Sequence, residues 1–282
     1  MSQPRPQPAS HPHSPPPAGR RSAGPSLTGQ AVAVTRATFT RSTTPDGDGD
    51  AQSRLCIGMS EAPIGSAPMR AHLQARTRFM DAQVLSAIEG GTTQIVTLGA
   101  GYDDRSLRFR SPGVRYFEVD QPATQSDKRR RLERLGTDLS GVTLVAADFR
   151  VDEVGSVLER SGHCADRPSL VLAEGLLVYL DQEAVIGLLG GIRARAPAGS
   201  ALAASLAVHP DGVDSAWVVE RANAARPRAG SEPWRTILPV PAHLDLVARS
   251  GWAVVESVDD AVMGTGAVPD RSLLVLAHPA EG

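Results

Sequence analysis

The residues best placed for chemistry lie between 94 and 120. The run QIVTLGAGYDDRSLR at 94–108 carries Ile95, Val96 and Leu98 into Gly99-Ala100-Gly101, and a charged, helix-compatible segment follows. An apolar strand that ends in a glycine turn and restarts as a helix brings backbone N–H groups up to a ligand. Gly99 and Gly101 let the chain turn tightly there, with no Cβ between backbone and ligand. About twenty residues on, a second strand-like run at 114–119 stops at Asp120, where an acid can accept both hydroxyls of a ribose. Glu118 shares the parity of Asp120 in a strand of period two, so its carboxylate can support the same face. Together these residues point to a nucleoside-containing cofactor held at the carboxyl edge of an α/β sheet.

The surrounding pattern supplies the elements that must hold them. Met69, Leu73, Met80, Val84 and Ile88 recur at helical spacing over 66–89, and Gly90-Gly91 ends the run. Strands are expected at 94–98, 114–119, 142–147, 169–173, 200–206, 252–257 and 272–277. Helices are expected at 104–109, 123–135, 152–161, 182–195 and 241–250. This alternation implies a doubly wound, mostly parallel sheet of seven strands covered on both faces. The connection at 258–271 is too short for a crossover helix, so one of the last two strands should run antiparallel. That arrangement differs from a dinucleotide-binding dehydrogenase and favours another cofactor. Residues 1–50 are rich in Pro, Ser, Arg, Thr and Gly and read as a disordered tail, leaving 51–282 as the domain.

Bulk properties exclude several classes. A net charge of −2 offers no general attraction to nucleic acid. Two cysteines, Cys56 and Cys164, form neither a disulfide framework nor a metal spacing, which fits a reducing, cytoplasmic setting. No apolar run approaches the ~18–20 residues that a membrane span needs, so no membrane partner is expected. Arg20-Arg21 lacks the apolar core of an export signal. The seven histidines are scattered with no metal spacing, so no metal is expected. The basic run DKRRRLERL reads as a solvated helical face.

With these elements placed, the chain resembles the leucine carboxyl methyltransferase family of class I S-adenosylmethionine-dependent O-methyltransferases, which includes bacterial polyketide O-methyltransferases. The resemblance is carried in order by ARTRFMD at 75–81, QIVTLGAGYDDRSLRF at 94–109, YFEVDQP at 116–122 with Lys128 beyond, AEGLLVYL at 173–180 and SGWAVVE at 250–256. It spans about 66–278. The glycine motif alone is weak, whereas L-G-A-G-x-D-x-R together with A-E-G-L-L-x-Y-L is specific. The family usually has Thr where this chain has Asp104. The region 207–240 falls where the family places a substrate lid, and it matches no member closely enough to identify an acceptor.

The resemblance implies a role for each matching residue. Gly99 and Gly101 would approach the methionine part of S-adenosyl-L-methionine, and Asp120 would bind its ribose. Asp148 would accept the adenine amino group beside Phe149, whose backbone N–H meets the ring; a helix N-cap is the alternative for Asp148. Arg76 would anchor the cofactor carboxylate, with Arg78 or a solvated surface charge as the alternatives. Glu174, at the end of the fourth strand, would take the amino group, or else serve in a salt bridge or cap. Tyr179 would face the substrate as the catalytic candidate, or pack in the core with its hydroxyl at the edge. Asp103, Arg105 and Arg108 match the pattern and by default form a structural ion-pair network. The implied activity is methyl transfer to a carboxylate or hydroxyl of a small molecule or peptide, in specialised metabolism. A non-catalytic cofactor-binding protein is the alternative, and the missing third glycine of G-x-G-x-x-G argues against a nicotinamide enzyme. No histidine lies in the matched motifs and His209 is only a weak base candidate, which favours a carboxyl acceptor.

Overall fold

The computed structural model describes residues 24–225, 232–259 and 271–281. Five parallel strands form the first part of the sheet: β1 (Gln94–Leu98), β2 (Arg115–Asp120), β3 (Val142–Ala146), β4 (Ser169–Ala173) and β5 (Ala201–Val208). β6 (Trp252–Asp259) and β7 (Arg271–Pro279) complete it in the order β3-β2-β1-β4-β5-β7-β6. The antiparallel strand is β7, which runs against both β5 and β6. Every residue of β1 and β4 is buried, as expected for central parallel strands covered on both faces.

The helix α3 (Ala67–Glu89) covers one face. Ser66 caps its start, Pro68 fits its first turn, and Gly91 at φ +83° follows its end. Its Met80 and Val84 pack with Ile95, Phe109 and Leu172. On the other face, α6 (Val154–Arg160), α7 (Gln182–Arg193) and α9 (Val240–Arg249) bury Leu158, Val185, Leu189 and Val247 against Val96, Leu98 and Val171. Trp252 is fully enclosed there, and its indole N–H donates to the Leu189 carbonyl at 3.0 Å. The remaining expected helices are α4 (Arg105–Arg108) and α5 (Pro122–Arg134).

The expected disordered tail requires correction. Residues 1–23 lie outside the described residues, but from 24 onward the chain is docked on the domain. It forms α1 (Leu27–Arg36) and α2 (Ala51–Leu55) before the sheet begins. Large apolar side chains are scarce here, and hydrogen bonds with small-residue packing hold the segment instead. Ala33 and Ala51 pack with Leu55, Tyr102 and Leu107. Thr35 Oγ1 accepts the Ile64 N–H at 2.9 Å, and the Ser26 N–H donates to Thr124 Oγ1 at 3.1 Å. The backbone N–H groups of Thr44 and Asp48 donate to the carbonyls of Arg108 and Leu107. The region expected as a lid, 207–240, takes in the end of β5, which extends to Val208, and the start of α9 at Val240. Its described residues include a helix the pattern did not reveal, α8 (Ser215–Ala224).

Candidate functional site

Strand register builds the site. Leu98 pairs with Val119 on one side and Ala173 on the other, so the chain leaves three neighbouring strands at one level. Gly99, Asp120 and Glu174 therefore emerge side by side at the carboxyl edge. The sheet order reverses between β1 and β4, the place where open α/β sheets leave a crevice for ligands. A cavity of about 820 Å³ opens there, within the ~300–1,000 Å³ typical of small-molecule sites.

The glycine turn is sterically required. Gly99 has φ +66°, and a Cβ added to it would lie 3.1 Å from the Leu176 side chain. Gly101, at φ +49°, donates its N–H to Asp120 Oδ2 at 2.7 Å, while Asp120 Oδ1 accepts the Gln121 N–H at 2.7 Å. Burial pushes the Asp120 carboxyl up to about 6, against the pull of those two backbone N–H groups. A carboxylate offers about four lone-pair sites, so both oxygens keep acceptor capacity toward the cavity.

Glu174 is the centre of a charged cluster. Arg36, Arg76 and Arg105 all contact its carboxylate, Arg76 Nε at 2.8 Å and Arg105 at 2.7 Å. Burial alone would raise the Glu174 carboxyl, but Arg36, Arg105 and Arg76 outweigh it and hold the group well below the usual range. Arg36 also reaches Asp103 at 3.2 Å, and Arg105 joins Asp103 to Asp81. The Arg105 guanidinium, buried yet surrounded by Asp103, Glu174 and Asp81, is held well above its ordinary value. Arg108 bonds both oxygens of Asp81 at 2.8 and 2.9 Å. Asp104, where the family usually has Thr, is buried and accepts Arg41 at 2.7 Å, so a residue upstream of the domain boundary expected from sequence balances the added charge.

Each residue singled out from the sequence can now be located. Gly99, Gly101, Asp120, Asp148, Phe149, Glu174, Arg76 and Tyr179 all line the cavity. Asp148 is ion-paired with Arg150 at 3.1 Å, and Phe149 is also part of the buried core. Tyr179 ends a 3₁₀ turn (Leu177–Tyr179) on the cavity wall. Arg78 is exposed and absent from the lining. Glu118 is also absent; it is buried against Lys128 at 2.5 Å and Ser106 at 2.6 Å. His209 is turned aside, with its ring nitrogens 2.7 Å from Ser215 Oγ and 2.8 Å from the Pro210 carbonyl.

The cavity residues that the sequence did not single out include Arg36, Ser205 and His72. Arg36 lies in the segment taken for a tail. Ser205, on β5 beside Glu174, accepts the Gly175 N–H at 2.8 Å. His72 precedes Arg76 by four residues on α3, and that helical spacing was the available signal.

The model of a known family, described as leucine carboxyl methyltransferase, matches residues 31–193. The chain belongs to this family. Two relatives each carry the name "Putative S-adenosyl-L-methionine-dependent methyltransferase". One, from Streptomyces avermitilis, is 35% identical over 69% of this chain and 63% of its own length. The other, from Mycolicibacterium paratuberculosis, is 34% identical over 64% of this chain and 56% of its own. The chain thus spans less than two thirds of the length of the curated relatives it matches.

Solved structures share the fold. A DUF574 family protein from Streptomyces avermitilis superposes with a TM-score of 0.55 at 18% identity, covering 89% of this chain and 96% of that one. The magnesium protoporphyrin IX methyltransferase of Synechocystis, solved with bound S-adenosylhomocysteine, gives 0.52 at 12% identity, covering 82% and 94%. This leucine carboxyl methyltransferase family chain has a class I methyltransferase fold. No described helix is long and apolar enough to cross a membrane.

Proposed function

We propose that the protein is an S-adenosylmethionine-dependent O-methyltransferase that acts on a carboxylate or hydroxyl of a small molecule or peptide, in specialised metabolism. The observation that carries this reading is the alignment of Gly99, Asp120 and Glu174 at one level of the sheet edge, all facing one cavity. The residues fit the cofactor on their own chemistry. The Gly99 turn, at φ +66°, presents backbone without a side chain at the cavity, Asp120 is a buried acceptor suited to a ribose diol, and Arg76 and Glu174 offer opposite charges to an amino acid. Asp148 and Phe149 follow β3 and would receive the adenine. Family membership and the relatives' names support the same assignment.

S-adenosylmethionine supplies a methyl group on a positively charged sulfur, already activated for in-line displacement. The chain's task is then chiefly positioning, which can lower a barrier by up to about 7–11 kcal/mol in favourable cases. Asp120 fixes the ribose, Arg76 and Glu174 fix the amino-acid end, and the lid with Tyr179 excludes water and orients the acceptor. An ionised carboxylate acceptor needs no base, whereas a hydroxyl gains roughly 10²–10⁴-fold from one. Calorimetric titration with S-adenosylmethionine and S-adenosylhomocysteine tests the reading. Saturable binding of both is expected, and failure of both to bind removes it.

A further inference from the structure

Resting on that reading, we infer that Ser205 and Ser272 form the acceptor seat, donating their hydroxyl hydrogens to the two oxygens of an acceptor carboxylate. The sheet order places them. In the proposed complex the cofactor runs along the edge from β3 (adenine) through β2 (ribose) to β4 (amino-acid end), so the acceptor is left the part of the cavity over β5 and β7. From those two strands the lining takes Ser205, Ala207 and Ser272. Ala207 and Ser272 are cross-strand partners, and Ser205 lies two residues from Ala207, so all three share one face. The lid borders them, because Ala207 packs, with Val178, against a cluster that includes Ala222 of α8.

Both serines are more than nine-tenths buried, at 5% and 8% exposed. Ser205 Oγ accepts the Gly175 N–H at 2.8 Å, and its own hydrogen meets no acceptor among the described residues. The Ser272 hydroxyl makes no hydrogen bond to any of them. Buried hydroxyls are costly without a partner, so two of them on one cavity wall call for the lone pairs of a ligand. Their positions are diagonal on an antiparallel pair, ~7–8 Å apart and somewhat less between Cβ atoms. The two oxygens of one planar carboxylate bridge such a gap, each accepting one short O–H···O bond. Neither serine can take up a proton at neutral pH, so the oxygen they hold must already be nucleophilic, as an ionised carboxylate is. The positive sulfur of the cofactor also favours an anion beside it.

The step balances without a proton transfer. A carboxylate lone pair forms the new O–C bond to the methyl carbon, and the C–S bonding electrons pass to sulfur. Anion and sulfonium thus become a neutral ester and a neutral thioether. The serines then face an ester, a weaker acceptor than the acid, which favours release of the product.

The test uses acetate, octanoate, benzoate and phenylacetate, each beside its methyl ester. They are titrated into the full chain loaded with sinefungin, a cofactor analogue whose amine replaces the sulfonium. At least one acid should bind tenfold or more tightly than its ester. Losing one hydrogen bond to a charged acceptor is worth roughly 10- to 150-fold. Ser272→Ala and Ser205→Ala should therefore each weaken that acid at least tenfold, while ester and sinefungin affinities in Ser272→Ala stay within about twofold of wild type. Failure of every acid to bind, an ester as tight as its acid, or an acid preference that survives in either variant overturns the inference. Ser205→Ala strips the Gly175 N–H of its acceptor, and if it does not fold, Ser272→Ala decides alone, since that hydroxyl holds nothing in the fold. Failure of sinefungin itself to bind would instead overturn the methyltransferase reading.

Discussion

Replacing Asp120 by alanine removes one carboxylate on which two separate structural demands converge. Its oxygens accept the backbone N–H of Gly101 and of Gln121, each at 2.7 Å, and in the proposed complex they also accept the ribose hydroxyls. Losing a hydrogen bond to a charged acceptor costs about 1.5–3 kcal/mol, or roughly 10- to 150-fold in Kd. The effect on folding is smaller, because two contributions oppose each other. The two N–H groups lose their acceptor, but a carboxylate that burial holds at about 6 no longer has to be ionised in the fold at neutral pH. Asp120→Asn should be no better than alanine, since its amide nitrogen must face one of two N–H donors. The assay is calorimetric titration of S-adenosylhomocysteine into both variants, with urea unfolding of the free proteins in parallel. An unchanged Kd in Asp120→Ala, or wild-type affinity in Asp120→Asn, would refute the ribose assignment.

Five further outcomes are expected. Cofactor affinity should be flat at neutral pH and fall by up to about tenfold per unit below about 6, as Asp120 takes up a proton. The same raised value means that ionised Asp120 opposes folding above about 6, so its unfavourable contribution should fade on acidification toward 3.8; comparing the pH dependence of urea unfolding with that of Asp120→Asn checks the sign. Arg105→Leu leaves Asp81, Asp103 and Glu174 without their shared buried partner and should cost about 3–5 kcal/mol of stability by urea denaturation; a loss below about 1 would contradict the network's role. Gly99→Ala, strained at φ +66° and 3.1 Å from Leu176, should lose about 1–2 kcal/mol of stability and weaken S-adenosylhomocysteine binding as well, by thermal unfolding and calorimetry. Trp234→Ala, on the lid side of the cavity, should change acceptor preference across a methylation panel while leaving S-adenosylhomocysteine affinity within about twofold; loss of that affinity would show that the lid is misassigned.

The parallel strands were legible because each is a short apolar run bounded by turns, and Gly99, Asp120 and Glu174 each follow such a run. Period and punctuation thus located the sheet edge and the residues on it. The antiparallel strand was foreseen from a short connection, although which of the last two strands runs antiparallel depends on pairing with β5, a long-range choice with no local signal. The segment at 24–50 was misread for a physical reason. Low hydrophobicity argues against self-folding, but α1 is held by Thr35, Arg36 and backbone bonds to residues far along the chain. The acidic partners of Arg36 and Arg41 (Asp103, Glu174 and Asp104) lie far along the chain, where no local pattern announces them. The ion-pair reading of Asp103, Arg105 and Arg108 agrees with the contacts now seen, since buried charges must be paired.

The most direct measurement is a crystal structure of the full chain with S-adenosylhomocysteine. The account predicts the ribose hydroxyls within hydrogen-bond distance of Asp120, the amino-acid end between Arg76 and Glu174, and the adenine beside Asp148 and Phe149. A nucleoside bound away from the edge formed by Gly99, Asp120 and Glu174, or reversed so that its sugar leaves Asp120 untouched, would contradict it.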